Sequence, residues 1–342
     1  MMKNFTEKVG KFFKSSFPGK WTTRKIVFVA ILIAVSVTFT IISVQIAPFA
    51  GISTYKVAFI GLPVKISGFI FGPVIGIFIG LVSDLISLIY IPPTTYNPLY
   101  TLVVVMNGFI PGLFSWFFFR FINYAFGADF RTKLYKSKIQ LYSTSYLVAV
   151  ANPDSEKEAN YYASKIIYYN NKKEYIKRFG TINLIKNINL IIALMILSII
   201  ILFEIITIGF LIPDAYLVKS PVKNRWIIVA LITTGLIMMM SLCIYGKFKI
   251  KSSRYLVMVP IIIFSAVLEI VNLPILSFAD LFALGNSSIK DIFLWIFQHV
   301  FLAPVKIWFN IIIIYYSFSI ISKLVNKTLI YLEILAVKNE TK

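Results

Sequence analysis

Long apolar runs, separated by short polar or basic stretches, organise this chain. They lie near 25–47, 57–72, 73–91, 99–120, 187–212, 226–245, 255–273 and 291–321. A hydrocarbon core of roughly 30 Å takes about 20 helical residues. The pattern therefore predicts an all-α, polytopic membrane bundle of about eight spans. The stretch from Lys56 to Leu88 is too long for one straight span and is interrupted by Gly72-Pro73. Proline removes a backbone donor and glycine tolerates a tight turn, so two short spans joined by an abrupt hairpin are expected there. The largest polar stretch, 121–186, reads differently. Lys138–Val150 alternates as a strand would, and Asn152-Pro153-Asp154-Ser155 resembles a helix start, with a helix from Ser155 to Arg178.

This pattern divides the chain into a basic amphipathic segment (1–23), four helices (24–120), a polar insertion (121–186), a further transmembrane pair (187–250), two last helices (251–322) and a basic tail (323–342). In the first segment Phe5, Val9, Phe12 and Phe13 share one helical face and Lys3, Lys8, Lys11 and Lys14 surround it, which suits an anionic membrane surface. A disordered basic tail that only sets orientation is the other reading.

Charge supports a membrane class. The chain is 58% hydrophobic with a formal net charge of +20. Those charges fall between the apolar runs rather than on a basic-aromatic module, which argues against nucleic acid as a partner. With both termini cytoplasmic, the basic insertion, the loop 247–254 and the tail all face inward, as positive-inside topology requires. The outer loop bearing Lys219, Lys223 and Arg225 is the exception. A lone cysteine, Cys243, excludes an internal disulfide, and no metal site or cofactor is expected. No P-loop, HExxH or GxSxG pattern is present.

Ionisable and amide groups within the spans are the candidate chemistry, because each costs about 2.5–3.5 kcal/mol at mid-bilayer and usually faces a cavity or partner. Under one topology Lys56, Asp84, Asn107, Asn272, Gln298 and His299 all fall in the outer half of the bundle. Asp84 would lie about 9–10 Å, and Asn107 about 12 Å, below the outer helix ends. A pocket opening outward is the expected consequence. Tyr96 and Asn97, in a proline-stiffened outer loop, offer an aromatic face and an amide at its mouth. Each residue has a plainer reading. Asp84 can pair with Lys65, Lys56 can snorkel, and Asn107 or His299 can hydrogen-bond between helices. The loop can be a rigid interfacial turn. Glu204 and Glu269 also lie within spans, and Glu204 finds no place in this site. Ala30 and Ala34 share a face of the first span, and Gly68, Gly72, Gly76 and Gly80 recur every fourth residue, a spacing that lets helices approach closely in lipid.

Taken together, Lys56, Leu62-Pro63, Gly68, Phe71-Gly72-Pro73, Gly76, Gly80, Ser83-Asp84-Leu85-Ile86, Tyr96-Asn97-Pro98 and Met106-Asn107-Gly108 resemble the substrate-binding (S) component of energy-coupling factor (ECF) vitamin transporters, nearest the folate family. Val271-Asn272-Leu273 and Gln298-His299 through Pro304 are similar to that family's last two helices. The resemblance implies a six-helix core, here with two inserted transmembrane helices, and no catalytic chemistry. It implies a bacterial plasma-membrane subunit that binds folate or a related heteroaromatic vitamin, riboflavin being the alternative. Lys56 would hold an anionic part of the ligand, Asp84, Asn107 and Asn272 would hydrogen-bond a ring stacked on Tyr96, and Gln298 and His299 would complete the wall. Asn97 would stand at the mouth. Ala30 and Ala34 would dock on a membrane coupling subunit served by two ATPase subunits. Two departures are visible: Lys56 stands where the family pattern has arginine, and Lys65 stands at a position that is apolar in it. A stand-alone secondary permease or a membrane scaffold are the readings of another class.

Overall fold

The computed structural model describes residues 23–46, 53–90, 97–152, 155–217, 222–283 and 292–325. The amphipathic segment 1–20, the loop residue Tyr96 and the tail beyond 325 lie outside the described residues, as do the side chains of Lys56, Gln298 and His299.

Among the described residues every regular element is helical, and α1 (Thr23–Ile46), α2 (Ser53–Phe71), α3 (Pro73–Tyr90) and α4 (Pro98–Trp116) come first. A π-helical turn, Phe117–Phe121, continues α4 into α5 (Ile122–Phe126). Next come α6 (Ala128–Val150), α7 (Glu156–Phe179) and α8 (Ile182–Ile206), the last extended by a second π turn, Thr207–Leu211. Short α9 (Asp214–Leu217), α10 (Arg225–Lys249), α11 (Ser252–Ala283) and α12 (Ile292–Val325) complete the order. Six of these helical stretches are long and apolar enough to cross a membrane, and Gly61–Phe71 and Lys306–Ile321 are shorter apolar segments. The chain is a multi-pass membrane protein.

The hairpin at 72–73 forms as expected. Gly72 takes φ +98°, ending α2, and Pro73 opens α3 at a first-turn position where its missing donor is harmless. Prolines inside α2, α4 and α11 are accommodated without ending those helices.

The glycine stripe explains how α2, α3 and α4 pack. A Cβ at Gly68 would stand 2.0 Å from the Gly108 carbonyl oxygen, and one at Gly76 2.3 Å from the same atom. At Gly80 it would meet the Val104 carbonyl at 2.8 Å, and at Gly112 the Pro73 nitrogen at 2.4 Å. Three backbones thus touch directly, and only hydrogen fits between them.

α11 is the central helix. Two thirds of its membrane-length window (67%) is buried, against 17% for α8. It packs on α4 and α12 on one side and on α8 on another. Phe69 anchors the centre, 5.2 Å from Phe264, 4.8 Å from Phe318 and 5.5 Å from Phe119 between ring centroids. The inserted helices α8 and α10 pack on each other and on α11.

The expected strand at 138–150 is overturned: these residues belong to α6, which pairs with α7. Tyr142 and Tyr169 stack at 5.7 Å, Tyr135 lies 5.8 Å from Tyr169, and Lys138 Nζ donates to the Tyr169 hydroxyl at 3.2 Å. Tyrosines seven residues apart mark one face of a helix, and that spacing prevails over the local alternation. The helix expected over 155–178 is present as α7, preceded by Ser155.

Arg225, at the start of α10, also finds its reason. Arg225 donates to the carbonyls of Gly209 (2.7 Å) and Ile212 (3.0 Å) and pairs with Asp214. A cation is here closing the open carbonyl end of a helix, which offsets its departure from the charge pattern.

Candidate functional site

Asn107 and Asn272 meet in the middle of the bundle. Asn107 is wholly buried in α4 because Gly108, its neighbour, must face α2 and α3, and Asn272 reaches it from the central helix. Asn272 Nδ2 donates to Asn107 Oδ1 at 2.9 Å. Among the described residues, that single bond leaves Asn107 Nδ2 and Asn272 Oδ1 buried without a partner. An unmade hydrogen bond at such a position costs about 1–3 kcal/mol. The pair therefore presents a donor group and an acceptor atom in a buried setting. Gly61 makes room for it: a Cβ there would sit 2.7 Å from Asn107 Nδ2.

Asp84 stands apart from this pair. Its Oδ2 accepts from the Thr101 hydroxyl at 2.6 Å, joining α3 to α4. Thr101 and Asn107 are six residues apart on one helix, a separation of about 9 Å along its axis. Pairing of Asp84 with Lys65 is not what the structure shows. Lys65 is buried in α2, within electrostatic reach of Glu269 and Lys306. Glu269 and Lys306 themselves pair at 3.6 Å between α11 and α12. Charged residues inside apolar runs were the signal for this cluster, and the sequence shows all three.

Asn97 is engaged at both ends of its amide. Its Oδ1 accepts from Leu99 N at 3.0 Å, capping α4, and its Nδ2 donates to the Ala279 carbonyl at 3.2 Å. Beside it the Tyr100 hydroxyl donates to buried Asp280 at 2.5 Å. These two bonds tie the start of α4 to the end of α11 and hold the mouth of the bundle. Sequence reasoning missed Tyr100, Thr101 and Asp280. Asn-Pro before an apolar run is a helix-start signal, and it accounts for the Asn97 cap.

Ala30 and Ala34 lie on the exposed side of α1, with exposed Ile26, Val27 and Ile31 around them. Val29, Leu32 and Val37 of the same helix are buried.

With this geometry in view, residues 20–127 match the family model of the ECF-type riboflavin transporter, S component. The match supports an ECF S component. It ends at Gly127, the junction between α5 and α6, so it contains the glycine-packed helices, Asp84 and Asn107. No curated protein and no solved structure matches the chain. An S component is the vitamin-binding subunit of a transporter rather than an enzyme, and its family implies association with ECF module components.

Proposed function

We propose that this S component captures a flat heteroaromatic vitamin, folate or a close relative, from outside the plasma membrane of a bacterium. The buried amide pair carries the reading. The donor at Asn107 and the acceptor at Asn272 complement the adjacent C=O and N–H of a lactam edge, which pterin and isoalloxazine rings both carry. Buried polar groups of this kind reject ligands that leave them unpaired. The family match favours riboflavin as the second reading. Lys56 would hold the ligand's anionic part, Tyr96 would stack on its ring, and Gln298 and His299 would close the wall. Asn97 holds the mouth in shape. Titration of the purified chain with folate and with riboflavin, followed by tryptophan and flavin fluorescence, separates the two. Saturable binding of neither would overturn the proposal.

Asp84 has a specific test. An asparagine there still accepts from Thr101, so Asp84→Asn removes the charge and keeps the fold. Affinity should fall about tenfold, the lower end for a hydrogen bond to a charged group. An unchanged Kd would remove Asp84 from the site.

The exposed alanines of α1 suit docking on a coupling subunit, with two ATPase subunits supplying the energy. Ala30→Trp/Ala34→Trp should abolish cellular uptake while the Kd of the isolated chain stays within about twofold, since neither side chain is part of the buried core. Uptake at the native level in that variant would sink the docking surface.

A further inference from the structure

We propose that the hairpin α6–α7 lies against the bilayer through one basic, aromatic and aliphatic face, which takes the anionic phospholipid headgroups of the leaflet it emerges from. This does not rest on the vitamin reading, because both helices lie beyond the matched residues 20–127. Tyr135 meets Tyr169 and Tyr142 meets Tyr162, so the two helices run antiparallel. Both helices are right-handed, so in such a pair the residues one place before the inward-facing ones fall on a common side. On α6 that side carries Leu134, Leu141 and Val148, and on α7 Tyr161, Tyr168 and Tyr175, all six exposed. Lys165 and Lys172 stand one turn after Tyr161 and Tyr168 and lie over their rings at 5.2 and 4.5 Å. Arg131 and Lys138 flank Leu134 one turn to either side. Arg131 acts electrostatically on Lys172, and Lys138 on Tyr168, across the helix pair. Four cations thus share a face, and among the described residues none has a carboxylate partner. Asp129, Glu156 and Glu174 fall on other sides of their helices, and Glu158 adjoins the stripe one turn before Tyr161.

Cations alone would suit any polyanion. Leu141 and Val148, 64% and 62% exposed, point to one with an apolar interior. Lysine and tyrosine interleaved with aliphatic residues is the composition of a membrane interface. The cations meet phosphate, the tyrosine rings sit at headgroup level, and the aliphatic side chains enter the acyl boundary. Placement agrees with composition. α6 follows α4 and α5, and α7 leads through Gly180 into α8, so both roots of the hairpin join helices of membrane-crossing length. The bilayer is therefore present at high effective concentration, whereas a soluble acidic protein or a nucleic acid must come from bulk solution. Among the described residues the hairpin packs mainly on itself, with a small join to α5, and this face is left uncovered.

The test uses the full chain in nanodiscs of phosphatidylglycerol or of phosphatidylcholine. Leu141→Cys, labelled with a polarity-sensitive dye, reports from the face. Asn170→Cys is the control, since Asn170 is exposed on the far side, one place after Tyr169. Cys243 is buried, and the parent chain measures its residual labelling. In phosphatidylglycerol a nitroxide-bearing phospholipid should quench the label at 141 and spare the one at 170. Quenching at 141 should fall towards the control in phosphatidylcholine, and in phosphatidylglycerol at about 1 M salt, where charges are screened within roughly 3 Å. Lys165→Gln/Lys172→Gln should shift the balance of attached to detached hairpin roughly thirtyfold, about fivefold for each cation lost. Neither lysine is hydrogen-bonded across the helix pair, so the hairpin itself persists, and the salt series on Leu141→Cys with both lysines kept gives the same answer without that substitution. Equal quenching at the two positions, equal quenching at 141 in the two lipids, or quenching unmoved by both salt and Lys165→Gln/Lys172→Gln would each overturn the surface. A label at 141 that stays in water in both discs would leave the face to a soluble acidic partner or a nucleic acid, and would overturn it too.

Discussion

Gly108→Val is expected to eliminate the folded protein. A Cβ at Gly108 would stand 2.1 Å from the Gly76 carbonyl oxygen and 2.4 Å from its carbonyl carbon, both backbone atoms. Neither can swing aside as a side chain would. To reach ordinary van der Waals separation, α3 and α4 must move apart by more than about 1 Å. That movement opens the contacts at Gly80 and Gly112 as well, because both lie between the same two helices. Overpacking in cores typically costs 1–3 kcal/mol, and a clash of two backbones with a β-branched side chain added should exceed about 3 kcal/mol. Fluorescence-detected size exclusion in mild detergent should show loss of the monodisperse peak. Gly72→Ala is the informative contrast. Nothing lies within 4 Å of a Cβ there, yet φ is +98°. Backbone strain alone, about 1–3 kcal/mol, should lower the melting temperature and leave the peak intact. A native melting temperature for Gly108→Val would mean that the α3–α4 interface is not packed as described.

The second large effect is expected at the buried amides. Asn107→Ala and Asn272→Ala should each weaken vitamin binding about tenfold to a hundredfold, corresponding to about 1–3 kcal/mol for a lost buried partner. Each single variant also strands the other amide, so both should destabilise the chain. The double variant Asn107→Leu/Asn272→Leu separates the two effects. Replacing both members of a buried polar pair by apolar groups of similar size is close to neutral for folding. The double variant should therefore melt near the parent temperature while losing vitamin binding by more than about a hundredfold. Fluorescence titration and thermal melting on the same samples check both halves. A double variant that binds normally would show the pair to be helix glue and nothing more.

Much of the architecture could be read from residue order, and the errors are instructive. Apolar length located the apolar helices and the Gly72-Pro73 break located the hairpin, because partition into hydrocarbon and backbone permissiveness act locally. The four-residue glycine spacing announced a close helix contact but not its partner. Gly108 and Gly112, on another helix, turned out to face the stripe. Over 138–150 a two-residue alternation competes with the seven-residue spacing of Tyr135 and Tyr142, which a facing helix makes decisive. Asn97 caps α4, and residue order does not separate that role from a ligand contact, since an isolated amide has the same appearance in either. Asp84 and Asn107 looked level from helix ends alone, yet Asp84 is joined to Thr101, nearer the start of α4.

Residue order by itself determined that this is a helical membrane protein, where its apolar helices run, and which polar groups lie within them. Those are sums over neighbours in the chain. The tertiary structure decided which of these groups meet. Asn107 and Asn272, 165 residues apart, share a hydrogen bond, Glu269 finds Lys306, and Glu204 is left facing a cavity. Such pairings depend on how helices rotate and cross, and that is set by close backbone contact at a few glycines rather than by the hydropathy of any single segment.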